Sequence, residues 1–271
     1  MSSKAICIRK ESPADYYAVE ELTREAFWEF WEAERTICDE HLLVHKLRNV
    51  KAFIPELSFV AEIDGLIVGH IIYSKSKVMG ENGKEHETLT FGPLSVSPEY
   101  QSRGIGQALM KHSFDRARKL DFRAVIIFGH PDYYPRAGFR RAAEFGITTS
   151  EGKTFDPFMA LELYSGALDG GGGKYYIDEV YEQLTQEEAI EFDKQFPMKE
   201  AYVPVRIDAL LSRLEPAAQK EIESLKLSTL KALTSKSERS LRALPGICDE
   251  DILTIRTVMK EHGYSWGEKA D

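Results

Sequence analysis

The chain has 271 residues, 43% apolar and 29% charged, which is ordinary for a soluble globular protein and long enough for one large domain or two modest ones. Its formal charge of −9 is unevenly placed: residues 205–271 carry 11 basic and 11 acidic side chains, so the whole excess lies in residues 1–204, which carry 24 and 33. An acidic body argues against sequence-independent nucleic-acid binding and favours a cationic substrate.

From the N-terminus, the first eight residues lack the apolar core and small-residue cleavage site of a secretory leader. Residues 5–9 read as a short strand. Pro13 opens an apolar-periodic stretch to Trp31 that predicts a helix, and 41–48 predicts another. Two apolar runs, 57–63 and 66–74, flank Asp64-Gly65 and predict a hairpin. A strand over 88–96, a helix over 104–120 and a buried central strand over 124–128 follow, then strands over 158–163 and 174–181. The glycines at 170–173 are expected to form a hairpin loop, since the strand-like Tyr175-Tyr176-Ile177 would otherwise lack a sheet. Thr185-Gln-Glu-Glu has the form of a capping box, and beyond it the pattern stays helical. Pro197 and Pro204 bracket the expected junction between domains at 1–200 and 206–271. No apolar run approaches the roughly 20 residues needed to span a bilayer, so no membrane partner is expected. Cys7, Cys38 and Cys248 stand apart without a CxxC pairing and read as free thiols in a reducing, cytoplasmic compartment, with no metal site.

The informative stretch is Leu94-Ser-Val-Ser-Pro-Glu-Tyr-Gln-Ser-Arg-Gly-Ile-Gly-Gln-Ala-Leu109. A strand ends near Val96, and a loop with Gln101, Ser102 and Arg103 enters a helix through Gly104-Ile105-Gly106. Glycines there let the backbone bring successive N–H groups within reach of an anion. The helix start adds unpaired N–H groups and a positive dipole end. The stretch therefore reads either as a pyrophosphate cradle or as a tight strand-to-helix turn.

Gln101-x-x-Gly104-x-Gly106 behind Leu94-x-Val96 and Pro98 resembles the acetyl-CoA signature of the GNAT superfamily of N-acetyltransferases. Tyr134-Pro-Arg-Ala-Gly138-Phe139 resembles the tyrosine element downstream of it. Gly69-His70, Phe91-Gly-Pro-Leu-Ser-Val and Gly129-His-Pro-Asp-Tyr-Tyr134 are similar to the YhbS-like branch of that superfamily. The resemblance covers residues 1 to about 180. It implies an α+β fold with a mixed, mostly antiparallel twisted sheet flanked by helices. It also implies acetyl-CoA as cosubstrate and an amine on a small molecule or peptide as acceptor. Leu94, Ser95 and Val96 would pair with the pantetheine arm, and Gln101, Ser102, Arg103, Gly104, Ile105, Gly106 and Gln107 would form or flank the pyrophosphate loop. Tyr134 would protonate the departing thiolate, with Tyr133 as its competitor. Glu62, His70 and His130 are candidates for the general base by type and placement alone, and that role stays unassigned. The aromatic cluster Phe27, Trp28, Phe30 and Trp31 reads either as an acceptor wall or as packing.

Residues 214–266 resemble the C-terminal domain of the bacterial RNA polymerase alpha subunit, a small all-α helix-hairpin-helix fold, with Leu210, Leu211, Leu214, Ile222, Leu225, Leu230 and Leu233 as expected core. The hairpin positions that meet DNA in that family are here Cys248, Asp249, Glu250 and Asp251, and its minor-groove arginine falls on Ala217. Nucleic acid is therefore not an expected partner. A homodimer, another protein contact or a lid over the acetyl-transfer site stays open for this module. Two functions of different class fit the whole chain. One is an N-acetyltransferase acting by direct attack. The other is a catalytically silent module that binds acyl-CoA or a partner.

Overall fold

The computed structural model describes residues 5–28, 37–199, 205–234 and 236–264. They fall into two compact units, one formed by the described residues of 1–28 and 37–199, the other by those of 200–271.

The first unit is built on a nine-stranded sheet. Strands β1 (Cys7–Lys10), β2 (Phe59–Ile63), β3 (Leu66–Met79) and β4 (Glu85–Val96) pair antiparallel in sequence order. The β2–β3 turn is Asp64-Gly65, both at positive φ, as a two-residue hairpin with right-handed strand twist requires. Strand β5 (Ala124–Phe128) lies parallel to β4, and β8 (Phe158–Glu162) and β6 (Arg140–Arg141) extend the sheet beyond it. Helices α1 (Tyr16–Phe27) and α2 (Glu40–Leu47) pack on one face, and α3 (Ile105–Lys119) on the other. The sheet is thus mixed and mostly antiparallel, as expected.

Two expectations need correction. The strand over 174–181 is shorter, β9 (Gly173–Tyr176), and a 3-10 turn at Glu179–Tyr181 follows it. The glycine run before it is not a hairpin loop between paired strands. β9 lies antiparallel to β3 and parallel to β7 (Ile147–Thr149), a strand the sequence reading missed because three residues carry no usable period. A Cβ on Gly173 would stand 2.2 Å from the Met79 carbonyl oxygen, so glycine is what lets β9 reach its partner. The sheet curls here around Val78, Ile126, Phe158 and Tyr175. The capping box at Thr185 forms, with its hydroxyl accepting from the Glu188 N–H, and starts α4 (Gln186–Asp193).

Charges are buried between α1, α2 and the sheet. Arg48 donates to Glu11 at 2.7 Å and to Glu20 at 2.5 Å, all three nearly sealed from water. Ser58 donates to the second Glu11 oxygen, and His70 Nε2 lies 3.4 Å from the first. Burial opposes the Glu11 charge, but the His70 hydrogen bond and the charges around it outweigh that cost and hold its pKa at about 2. Burial pulls the His70 pKa down, so at neutral pH Arg48 is the cation of the cluster. On the outer side, Arg24 of α1 grips Asp193 of α4 through two hydrogen bonds, at 2.5 and 2.9 Å.

The second unit is all-helical, with α5 (Asp208–Leu211), α6 (Pro216–Ser224), α7 (Leu230–Leu233), α8 (Glu238–Arg242) and α9 (Asp249–Glu261). Leu210, Leu214, Ile222, Leu230 and Leu233 are buried in its core, and Leu211 and Leu225 pack at its margin.

Arg48→Met strands Glu11 and Glu20 without their cation and should cost about 3–5 kcal/mol in urea unfolding at neutral pH. Because the folded pKa of Glu11 lies below its ordinary 4.5, its contribution is present above that pH and lost as pH falls towards 2. The stability gap between the native chain and Glu11→Gln should therefore shrink on acidification, and a gap constant with pH would contradict this account.

Candidate functional site

Strands β4 and β5 pair in parallel at Leu89 and Val125, and then their ladder stops. Beyond that point Phe91, Leu94, Ser95 and Val96 stay paired with β3 on one edge only. Opposite Phe91 and Leu94 the register slips, three steps along β4 against two along β3, and the Gly92–Pro93 peptide is cis. A bulge of this kind bends a strand away from its neighbour. The result is a gap between residues 91–96 and 126–128, with the outer edge of β4 open along it.

The side chains at the gap divide by face. Leu94 and Val96 approach the start of α3, with terminal atoms 3.7 and 3.8 Å from where a Cβ on Gly106 would sit. Ser95 points the other way, fully buried, and its hydroxyl meets Thr23 of α1 at 2.8 Å. Gln101 folds back to donate to the Val96 carbonyl at 3.2 Å, and Arg103 lies over the Tyr100 ring at 5.1 Å. Ser102 and Gly104 both have positive φ, at 61° and 80°. This double turn aims the chain into α3, whose first intrahelical bond runs from Ala108 N–H to the Gly104 carbonyl. The N–H groups of Ile105, Gly106 and Gln107 therefore have no carbonyl one turn back. Gly104 and Gln107 are exposed, whereas the Ile105 side chain is buried in the core, so only its backbone faces the loop. The space in front of Gly104 is open: nothing lies within 4 Å of where its Cβ would be.

The two tyrosines separate cleanly. The Tyr133 hydroxyl comes within 2.6 Å of a Cβ built on Gly106, so it sits against the first turn of α3. Tyr134 turns into the gap, its ring 5.9 Å from Phe91, 5.6 Å from Phe139 and 5.1 Å from Tyr133. Its ring edge would lie 2.3 Å from a Cβ on Gly129, so that glycine makes room for it. Burial raises the Tyr134 pKa, and the charges of Tyr133 and Glu40 push the same way. Burial also raises that of Tyr133, against the charge of Arg136. Both phenols hold their protons at neutral pH.

The expected base candidates are elsewhere. Glu62 lies on β2, two strands from β4, and accepts from Arg9 at 2.7 Å. His70 lies on β3 beside β4, but its Nε2 faces Ser58 and Glu11. His130 is half exposed, and its Nδ1 accepts from the Asp132 N–H at 3.3 Å. Phe128, expected inside a fully buried strand, is 49% exposed because β5 ends at the mouth of the gap, and it stacks on Phe158 and Phe155. Of the aromatic cluster near Trp28, Phe30 and Trp31 lie outside the described residues. Trp28 itself is buried, with Arg24 over its ring at 4.5 Å. Among the described residues no cluster of acidic, His or Cys side chains could hold a metal ion. No helix there is long and apolar enough to cross a membrane.

A gap between two parallel strands, a glycine-lined helix start on one face and a half-buried tyrosine beside them are the features of a GNAT-type fold. Residues 20–139 match the acetyltransferase (GNAT) family model, and the first unit has the GNAT fold. The chain is 28% identical to the N-acetyltransferase YhbS of Escherichia coli K12 over 166 residues, 61% of this chain and 92% of that one. It is 35% identical over 101 residues to the N-acetyltransferase YjhQ of the same organism, spanning 37% of this chain and only 55% of YjhQ. The crystal structure of E. coli YhbS with CoA superposes with a TM-score of 0.59 at 25% identity, covering 68% of this chain and 96% of that one. A GNAT family acetyltransferase of Brucella melitensis with acetyl-CoA superposes with a TM-score of 0.52 at 28% identity, covering 66% and 99%.

Proposed function

We propose that this chain is an acetyl-CoA-dependent N-acetyltransferase that transfers the acetyl group to a primary amine by direct attack. The observation that carries this reading is the open edge of β4 beside the unpaired N–H groups of α3. A pantetheine arm can add to that edge as an extra strand would, and a pyrophosphate can rest on the helix start. The relatives with bound CoA and acetyl-CoA support the same choice of cosubstrate.

The placement of the side chains supports the following roles. Leu94 and Val96 line the arm with their side chains, and Ser95 takes part through its backbone. Gly104, Gly106 and Gln107 receive the pyrophosphate through backbone N–H, as does Ile105, with Gln101, Ser102 and Arg103 on the loop that approaches it. Tyr134, protonated and held in the gap, gives its proton to the leaving thiolate. Tyr133 lies on the approach to the helix. Most of the rate gain comes from holding amine and thioester together in this cleft. The free thiols and the cosubstrate fit a cytoplasmic enzyme.

For the second domain, residues 206–271, we propose a helix-hairpin-helix module that has lost DNA binding. Gly246 between α8 and α9 packs so closely on α6 that a Cβ would lie 2.8 Å from the Ala217 carbonyl oxygen. In the hairpin Asp251 is spent on capping α9 through the Cys248 N–H, and Asp249 pairs with Arg242. Glu250 is exposed. No arginine stands at Ala217, and carboxylates occupy the phosphate-facing turn.

Acetyl-CoA should raise the melting temperature by mass action on the folded state. Gly104→Glu puts a β-carbon at positive φ and a charge into the cradle, and should abolish that rise. An unchanged CoA affinity in this variant would remove the reading. Tyr134→Phe should lower turnover by roughly a hundredfold with acetyl-CoA binding nearly intact, since the lost interaction belongs to the transition state. A loss in Tyr133→Phe instead would shift the acid to the neighbouring residue. The full chain should show no retention on immobilised duplex DNA at low salt, where electrostatic binding is strongest. Retention reversed by salt would make the module a nucleic-acid binder.

A further inference from the structure

A cosubstrate seated as above has a corner to turn, from the outer edge of residues 94–96 to the free N–H groups of α3, and one side chain stands at that corner. Tyr133 arrives from the far side of the gap, on the turn that follows β5, where its N–H donates to the His130 carbonyl at 3.0 Å. Its ring packs on the core and meets Tyr134 nearly at right angles, with centroids 5.1 Å apart. Its hydroxyl ends 2.6 Å from where a Cβ on Gly106 would sit, and Leu94 and Val96 come to 3.7 and 3.8 Å of the same point. Among the described residues nothing exchanges a hydrogen bond with that hydroxyl, so its donor is spare. A Cβ stands about 2.5 Å from its own backbone nitrogen, which puts the hydroxyl within about 5 Å of the Gly106 N–H. An N–H and an O–H that close can share one acceptor oxygen, at roughly 2.9 and 2.7 Å. Both also face the same way, because Cα–Cβ bonds on a helix lean towards its N-terminus, where the first N–H groups point as well.

We infer that Tyr133 binds the cosubstrate: its hydroxyl donates to the pyrophosphate end of acetyl-CoA at the first turn of α3, and residue 106 is glycine in this chain so that the phenol can reach it. This rests on the acetyl-transfer reading and gives the cradle a side-chain donor besides its backbone N–H groups. The two adjacent tyrosines then divide the cosubstrate between them, Tyr134 at the sulfur and Tyr133 at the phosphates. A hydrogen bond to a phosphate oxygen is charge-assisted, and such bonds are roughly twice as strong as those between neutral groups. Burial raises the Tyr133 pKa against the Arg136 charge, so at physiological pH the group is a neutral donor and not a phenolate that would repel the anion. The glycine is specific to this arrangement. A methyl at position 106 would make ordinary contacts with Leu94 and Val96, and of these neighbours only the phenol oxygen would stand too close. The ring is wedged against Tyr134, so making room for the methyl would carry the hydroxyl off the corner.

The test uses the full chain and CoA, with affinity read by calorimetry and folding checked by the ligand-free melting temperature. Tyr133→Phe removes one oxygen and should weaken CoA binding roughly tenfold while melting like the native chain. That loss lies in binding, unlike the loss in Tyr134→Phe, which leaves binding nearly intact. Gly106→Ala should weaken CoA binding at least as much as Tyr133→Phe does. The double variant should bind no more weakly than Gly106→Ala alone, because both changes remove the same hydrogen bond. Additive losses would mean that the two positions act separately, and would overturn the inference. An unchanged affinity in Tyr133→Phe would overturn it as well, and so would a tighter one, since the phenol would then obstruct the cradle. If Gly104→Glu still binds CoA, the acetyl-transfer reading fails and the role of Tyr133 fails with it. If Gly104→Glu abolishes binding while Tyr133→Phe binds as the native chain does, only the role of Tyr133 fails.

Discussion

The first unit depends on a ladder that is broken off early. β4 and β5 are joined at Leu89 and Val125 and then diverge, and the outer edge of residues 91–96 is left with backbone groups that no neighbouring strand takes. Buried N–H and C=O groups need partners, so such an edge is a standing demand for something strand-like. The rest of the site answers to this divergence. The slip opposite Phe91 and Leu94 bends β4 away, Tyr134 fills part of the opening, and the start of α3 is held beside it by Leu94 and Val96.

The opposite face is held by charge as much as by apolar packing. Val19, Val44, Leu47, Val60 and Ile72 form an apolar layer between the helices and the sheet. Alongside it, the Arg48–Glu11–Glu20 cluster and the Arg24–Asp193 pair fix where α1, α2 and α4 meet. Buried ionic groups tolerate little displacement, because each depends on the geometry of the other. His41 on α2 lies between the two demands: it is fully buried, 3.2 Å from Asp193, and burial pulls its pKa down to about 4 against that carboxylate. It is neutral at physiological pH. The helix that begins with Glu40 is therefore seated by interactions on its inner and outer sides alike.

Most of the first unit could be read from the chain because its signals are local. Asp64-Gly65 between apolar runs needs no tertiary context to be a hairpin, and Ser102 to Gly106 turns a strand into a helix by its own backbone preferences. Thr185 caps its helix as written. What escaped was set by distant partners. β7 and β6 are too short for a period and exist through β9 and β8. Ser95 looks like a cofactor-facing residue in the motif, but strand alternation and Thr23, 72 positions away, turn its side chain to the helices. Gly129 was legible as part of a motif, but the reason for a glycine there is the ring of Tyr134 resting on it. In the second unit, helix existence was legible from apolar spacing, whereas the use of Asp251 as a cap rather than a free charge required the fold.

The four glycines at 170–173 look interchangeable in composition, and a compositional filter would treat them as spacer. Their surroundings are graded. A side chain on Gly170 would meet nothing within 4 Å, although its φ of 65° favours glycine. On Gly171 and Gly172 it would press on carbonyl oxygens at 3.2 and 3.1 Å, and on Gly173 it would collide with Met79. Residue identity at the end of the run is thus dictated by the neighbouring strand, and at its beginning only by the chain's own turn. Over evolutionary drift the run should erode from its N-terminal side, so that a homologue with a single glycine left would keep it where β9 begins.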